Sequence, residues 1–124
     1  MTLILLAVGA VAGAIARYHA VRLIQSRRGG IFPLGTLLVN LSGSLLLGLV
    51  AGLVANHPDW PVDSIQALAG VGFCATYTTF SSFIFETVQL WRRGYRRAAL
   101  LNVSAQPALG LLCAWAGLAV GSWL

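Results

Sequence analysis

The chain of 124 residues has no lysine, and its three acidic residues and eight arginines leave it only 9% charged. Without lysine there is no G-x-x-x-x-G-K-[ST] loop to cradle a nucleotide phosphate, so nucleotide-driven work is excluded. Three acids (Asp59, Asp63 and Glu86) and two histidines that flank apolar runs cannot be assembled into a nucleophile, a base and an orienting group, so the chain reads as a non-enzyme. The two cysteines, Cys74 and Cys113, lie deep in apolar runs with no further ligands at metal-binding spacing, and they read as packed thiols. The Asn-x-Ser triplets at Asn40 and Asn102 also fall inside apolar runs, where glycosylation is implausible.

Hydrophobic residues make up 58% of the chain, and the mean hydropathy is +0.83, which places it among membrane proteins. A spanning helix needs about 20 largely apolar residues, and four such runs fall at 2–24, 31–55, 65–86 and 98–123. They predict an all-α membrane protein with a single four-helix transmembrane domain over residues 1–124. The first run lacks the basic leader and small-residue cleavage site of a signal peptide, so it stays in the mature protein.

Apart from Arg17, the arginines gather in two places, Arg22, Arg27 and Arg28 after the first run and Arg92, Arg93, Arg96 and Arg97 after the third. The intervening loop, "NHPDWPVD", has none. By the positive-inside rule the arginine-rich loops are cytoplasmic, and both termini face the other side of the cell's inner (plasma) membrane. The net charge of +5 is therefore a topology signal and not a nucleic-acid surface. Trp60, Trp91 and Trp123 lie near run ends, where amphipathic rings favour the headgroup zone. Gly9/Gly13, Gly48/Gly52 and Gly117/Gly121 are spaced for close helix contact.

Polar residues placed in oil carry the functional information. Thr36, Asn40, Ser44, Gly48 and Gly52 recur every four residues and form one small, polar stripe on the second span. Such a face must meet another helix, as polar glue, or a water-filled path. Arg17 sits within the first span, where it either snorkels to the cytoplasmic boundary or draws anions into a vestibule. Glu86 closes the third span as a solvated end cap or as part of a pore mouth. On the fourth span Asn102, Gln106 and Gly110 share one face, next to a potential kink at Pro107.

The stretch "CATYTTFSSF", residues 74–83, packs six hydroxyls and two phenylalanines into an uncharged segment. Threonines and aromatics are mediocre helix formers, and Ser and Thr offer the backbone competing hydrogen bonds, so the third helix is expected to break near its middle. Carbonyls freed by such a break are ready cation ligands. Phenylalanine presents an electropositive ring edge. Hydroxyl donors together with ring edges suit a small, hard, strongly hydrated anion.

"GTLLVNLSG" at 35–43, "GFCATYTTFSSFIFE" at 72–86 and "GAIARY" at 13–18 together resemble the Fluc, or CrcB, family of fluoride channels, and the likeness covers essentially the whole chain. The resemblance implies a passive, fluoride-selective channel that exports cytoplasmic fluoride, built as an antiparallel dimer with two fluoride paths and a structural sodium ion (Na+) at its centre. It places Phe80 and Phe83 along the fluoride path, with Asn40, Thr79, Ser81, Ser82, Arg17 and Glu86 beside them. Asn102 and Gln106 stand where the family's polar track more usually has hydroxyls. The sodium would be held by the backbone carbonyls of Ala75 and Thr78. Ala75 and Thr76 replace the family's usual Gly-Gly pair, which bears directly on the shape of the break.

Seven arginines on one side against none on the other imply a fixed orientation. An antiparallel dimer is then either a dual-topology homodimer or a heterodimer with an oppositely oriented paralogue. A proton-coupled small multidrug exporter, also a four-span dimer, needs an acid in its first span, and this one has Arg17 instead. A non-transporting assembly subunit would explain the glycines and polar glue without a pore.

Overall fold

The computed structural model describes residues 1–124 and is helical almost throughout, with no strand. In order, the elements are α1 (Thr2–Arg28), α2 (Leu34–Asn56), the single turn α3 (Val62–Ile65), a π-helical segment (Gln66–Cys74), α4 (Ala75–Tyr77), α5 (Phe80–Arg92) and α6 (Arg96–Gly121). Four stretches are long and apolar enough to cross a bilayer: Thr2–Arg28, Leu34–Asn56, Val62–Arg92 and Arg96–Gly121. The expected four spans are all present, and the third is broken as anticipated.

Several helices outrun the apolar runs. The first reaches Arg28 rather than residue 24, and the third reaches Arg92 rather than residue 86. Arginine in a last helical turn interacts favourably with the negative end of the helix dipole. Its long side chain also carries the charge out to the headgroups, so helix and apolar run need not end together. Pro107 does not interrupt α6, which continues through it to Gly121.

Only 22 of the 124 residues are buried, and Leu3, Ile4, Val8, Val11 and Ile15 of α1 all point outward. In water such a surface would be untenable for a monomer; in lipid it is the normal arrangement, since hydrocarbon is as apolar as leucine. What holds the helices together must therefore be close packing and polar contacts.

Glycine supplies the packing. A Cβ placed on Gly48 would collide with the Ala114 carbonyl, one on Gly117 with the Leu45 carbonyl, and one on Gly121 with the Leu49 carbonyl, so α2 and α6 touch backbone to backbone. A Cβ on Gly9 would meet the Leu68 carbonyl, and one on Gly13 the Phe73 carbonyl and Thr76 Oγ1, which seats α1 against the third span. These contacts hold α2 to α6, and α1 to the segment that precedes the break.

The α5–α6 connection is equally tight. Gly94 adopts φ 87°, a left-handed conformation that suits glycine, while its N–H donates to Trp91 O at 3.1 Å and Tyr95 N–H donates to Leu90 O at 2.9 Å. These two bonds are the Schellman pair that ends a helix and turns the chain back.

Replacing Gly117 with alanine forces the two backbones apart, and overpacking of this kind costs about 1–3 kcal/mol. Thermal unfolding in detergent should show a lower midpoint for Gly117→Ala than for Gly110→Ala, because the nearest atom to a Cβ at Gly110 is Ser44 Oγ at 3.7 Å. Equal midpoints would contradict the close-approach account.

Candidate functional site

The third span changes winding before it breaks. Gln66–Cys74 is π-helical, wider than an α-helix and uncommon beyond single-turn bulges. Here Gly72 has no room for a side chain between the Ala67 and Leu6 carbonyls. Thr76 then turns its hydroxyl back onto Gly72 O (2.7 Å) and Phe73 O (3.1 Å), and Thr78 Oγ1 donates to Cys74 O (2.9 Å). These hydroxyls satisfy carbonyls in a stretch with no water to do so. The Ala75-Thr76 pair is itself helical; the chain leaves the helix two residues later, at Thr78 (φ −77°, ψ 161°) and Thr79 (φ −150°, ψ 118°).

In an extended residue the N–H and C=O point to the same side, as they do in a strand. Asn40 of α2 meets both groups of Thr79. Its Oδ1 accepts from Thr79 N–H at 2.8 Å, and its Nδ2 donates to Thr79 O at 3.1 Å. The side-chain amide thus replaces a neighbouring strand. The second N–H of Asn40 goes to Gln106 Oε1 at 2.8 Å, so both of its donors are spent on the protein.

Gln106 and Asn102 lie one turn apart on the inner face of α6 and are both buried. Gln106 Nε2 donates to Asn102 Oδ1 (2.9 Å), and Asn102 Nδ2 donates to Thr87 Oγ1 (2.8 Å). The polar stripes of α2 and α6 therefore meet each other, with the break between them and α5.

The hydroxyls after the break are arranged differently. Thr79 caps α5, its Oγ1 accepting from Ser82 N–H at 3.2 Å and donating to Ser82 Oγ at 3.1 Å. Ser82 Oγ receives a proton here and spends none, so its own O–H remains free to donate. Ser81 Oγ lies 3.3 Å from Thr79 Oγ1 and is exposed. Beside them the Phe80 and Phe83 rings stand 5.5 Å apart at a tilt of 56°. Phe83 is buried, while Phe80 is 75% exposed. The positive end of the α5 dipole also lies at this point, so the spare Ser82 proton, the two phenylalanine rings and the dipole are gathered on one side of the break.

The other side of the break offers acceptors. Thr79 N–H, which an unbroken helix would direct to Ala75 O, is committed to Asn40, leaving the Ala75 carbonyl without that partner. Thr78 O accepts from Arg17 Nη1 at 3.1 Å. Arg17, half-buried on α1, therefore neither snorkels nor stands free: its charge is directed at the break.

Glu86 sits at the arginine-bearing end. Thr36 Oγ1 donates to its Oε1 at 2.7 Å, and its Oε2 is buried with no hydrogen-bond partner. A cavity of about 620 Å³ opens here between the α1–α2 loop and the end of α5, lined by Gln25, Gly30, Glu86, Gln89, Arg93 and others. The two arginine-bearing ends thus meet at one end of the bundle. A second, partly open space of about 540 Å³ lies between α2 and the third span, reaching from Leu47, Gln66 and Gly70 down to Asn40, Thr78 and Phe80 at the break.

Sequence reasoning did not single out Thr87, the Thr36–Glu86 bond or the π-helical winding. Thr36 was on the polar stripe of α2, so its partner was the missing half. Thr87 gave no signal, because a lone helical threonine ordinarily bonds its own i−4 carbonyl, as this one does to Phe83 O at 2.7 Å.

A bundle of four membrane-length helices, the third broken around a hydroxyl and aromatic cluster, has the form of a multi-pass membrane protein with irregular backbone held inside it. The chain belongs to the CrcB family: residues 4–118 match the family described as "CrcB-like protein, Camphor Resistance (CrcB)". It is 43% identical over 122 residues to the fluoride-specific ion channel FluC 1 of Symbiobacterium thermophilum, covering 98% of each chain. It is 38% identical to the fluoride-specific ion channel FluC of Coxiella burnetii over the whole of both chains. With the fluoride-specific ion channel FluC 2 of Moorella thermoacetica the identity is 44%, over 92% of each chain.

Asn40→Leu would leave Thr79 N–H, Thr79 O and Gln106 Oε1 without partners, each worth about 1–3 kcal/mol when buried. The unfolding midpoint in detergent should fall further for Asn40→Leu than for Ser44→Ala. A midpoint for Asn40→Leu no lower than that of Ser44→Ala would show that the break does not depend on this amide.

Proposed function

We propose that the chain forms a fluoride-selective passive channel that lets cytoplasmic fluoride leave down its gradient, working as an antiparallel dimer with a structural sodium ion. The observation that carries this reading is the cluster at the start of α5, where the Ser82 hydroxyl with Ser81 next to it, the Phe80 and Phe83 rings with their electropositive edges, and the helix dipole all favour a small anion. The names of the relatives, fluoride-specific ion channels at 38–44% identity, point the same way.

Fluoride gives up strongly held water on entering such a site. Hydroxyl donors replace that hydration, and ring edges add favourable charge without the tight hold of a fixed cation, so the ion can leave again. Asn40 holds the break and forms its wall, with Thr79 orienting Ser82. Glu86 and the cavity around it form one mouth of the path, and the buried amides of Asn102 and Gln106 back the path on α6. Arg17 adds positive potential at mid-depth.

Two features support a second chain. Phe80 is exposed and the space between α2 and the third span is partly open at the polar residues Asn40, Thr78 and Thr79, which would be costly if they faced lipid. The carbonyls of Ala75 and Thr78 are hard oxygen donors of the kind that hold sodium, and Thr78 O keeps a lone pair beyond its bond to Arg17. Two chains would supply four such oxygens, and a sodium held there offsets the dipoles of both breaks. The arginine bias favours insertion one way, with the arginine-rich loops cytoplasmic, so an oppositely oriented paralogue is the favoured antiparallel partner.

Liposomes loaded with fluoride and followed with a fluoride electrode should empty faster with the reconstituted protein, alone or with its paralogue, than without it. Phe80→Ile and Asn40→Asp should each slow efflux, by about tenfold if each removes about 1.4 kcal/mol of stabilisation. No efflux above empty liposomes would reject the channel; full-rate efflux in both variants would remove these residues from the path. Reporter fusions at Leu124 should all report the non-cytoplasmic side, whereas equal populations on both sides would reject the fixed orientation.

A further inference from the structure

Thr87 is one helical turn beyond Phe83 on α5 and belongs to none of the motifs above. It is nevertheless the terminus of a hydrogen-bond chain whose direction can be read without ambiguity. A backbone N–H can only donate, so Thr79 N–H fixes the Asn40 oxygen toward itself at 2.8 Å. The Asn40 nitrogen must then donate to Gln106 Oε1 at 2.8 Å. Gln106 is left presenting its nitrogen to Asn102 Oδ1 at 2.9 Å, and Asn102 its nitrogen to Thr87 Oγ1 at 2.8 Å. The Thr87 proton ends on Phe83 O, a backbone acceptor, at 2.7 Å.

The chain leaves the third span at Thr79, crosses α2 and α6, and returns to the same span at Phe83. Both ends are backbone groups of fixed polarity, so no amide within it can be flipped without setting two donors or two acceptors against each other. Asn102 is 0% exposed and Gln106 6%, so within the chain neither has solvent as an alternative partner. Aligned bonds of this kind polarise one another and resist local rearrangement.

We infer that Thr87 is a positioning residue, the anchor of a one-way hydrogen-bond ring through Asn40, Gln106 and Asn102 that fixes Phe83 relative to the break at Thr79. The consequence for conduction rests on the channel reading above; the mechanical consequence rests on the geometry alone. Because the members act as one ring, cutting it at Thr87 or at Gln106 has the same effect, and cutting it twice adds little.

Four variants test this in the full-length protein, reconstituted with its paralogue if conduction requires one: Thr87→Val, Thr87→Ser, Gln106→Met and the Thr87→Val/Gln106→Met double variant. Fluoride efflux is measured alongside deuterium uptake by a peptide spanning residues 74–83. Thr87→Val and Gln106→Met should each slow efflux by about three- to tenfold, the loss of roughly one hydrogen bond. The double variant should match the singles within about twofold, as coupled sites do. Thr87→Ser, which keeps the hydroxyl, should remain like wild type, and uptake at 74–83 should rise in Thr87→Val but not in Thr87→Ser. Wild-type efflux and uptake in Thr87→Val, multiplicative losses in the double variant, or a Thr87→Ser as impaired as Thr87→Val would each overturn the inference. If wild-type protein conducts no fluoride, the channel reading fails and the uptake comparison decides the ring by itself: faster uptake in Thr87→Val alone upholds it, and equal uptake in Thr87→Val and Thr87→Ser overturns it.

Discussion

An extended peptide at the middle of a membrane has no water to bond to, so its N–H and C=O must be met by the protein. At Thr79 one side chain meets both. Asn40 takes the N–H at 2.8 Å and the C=O at 3.1 Å, and with its last donor ties the break to Gln106 on α6. Everything else at the site follows from this clamp, because it allows α4 to stop and α5 to start afresh inside the bundle. The rigid glycine contacts of α2 with α6 and of α1 with the third span keep the amide and the break in register.

Interrupting a helix produces two unlike surfaces within a few residues. Before the break lie carbonyls that have lost their donors, and after it lie N–H groups, capped hydroxyls and the positive end of a new helix. The chain treats the two ends differently. Arg17 brings a positive charge to the Thr78 carbonyl, whereas Thr79 caps α5 so that the Ser82 proton is left over. An acceptor surface and a donor surface are thereby separated only by the two extended residues Thr78 and Thr79. This economy is available only because Ala75–Tyr77 stays helical and the extended backbone is confined to Thr78 and Thr79.

Much of this was legible in the sequence. Four apolar runs fixed the spans to within a few residues, and the density of hydroxyls in residues 74–83 located the break. The stripe through Thr36, Asn40 and Ser44 and the Asn102/Gln106 pair were visible as polar faces, since spacing by four survives translation into any helix. Their partners were not legible. Whether Asn40 faces water, an ion or another amide depends on how α2 and α6 cross, and that is set by Gly48, Gly117 and Gly121 contacts between distant segments. The π-helical winding of Gln66–Cys74 likewise accompanies the close seat of Gly72 against Leu6 and Gly9 of α1, which no local propensity records. The helices run past the apolar stretches to Arg28 and Arg92, because charge marks the limit of the hydrocarbon and not of the helix.

The central claim is that donors and ring edges beyond the break select a small, hard anion over larger ones. It is tested most directly in a planar bilayer holding the reconstituted protein, with fluoride at unequal concentrations on the two sides and chloride added to either. The current should reverse at the potential set by the fluoride gradient and be unaffected by tenfold changes in chloride. A reversal potential that follows chloride would contradict the account.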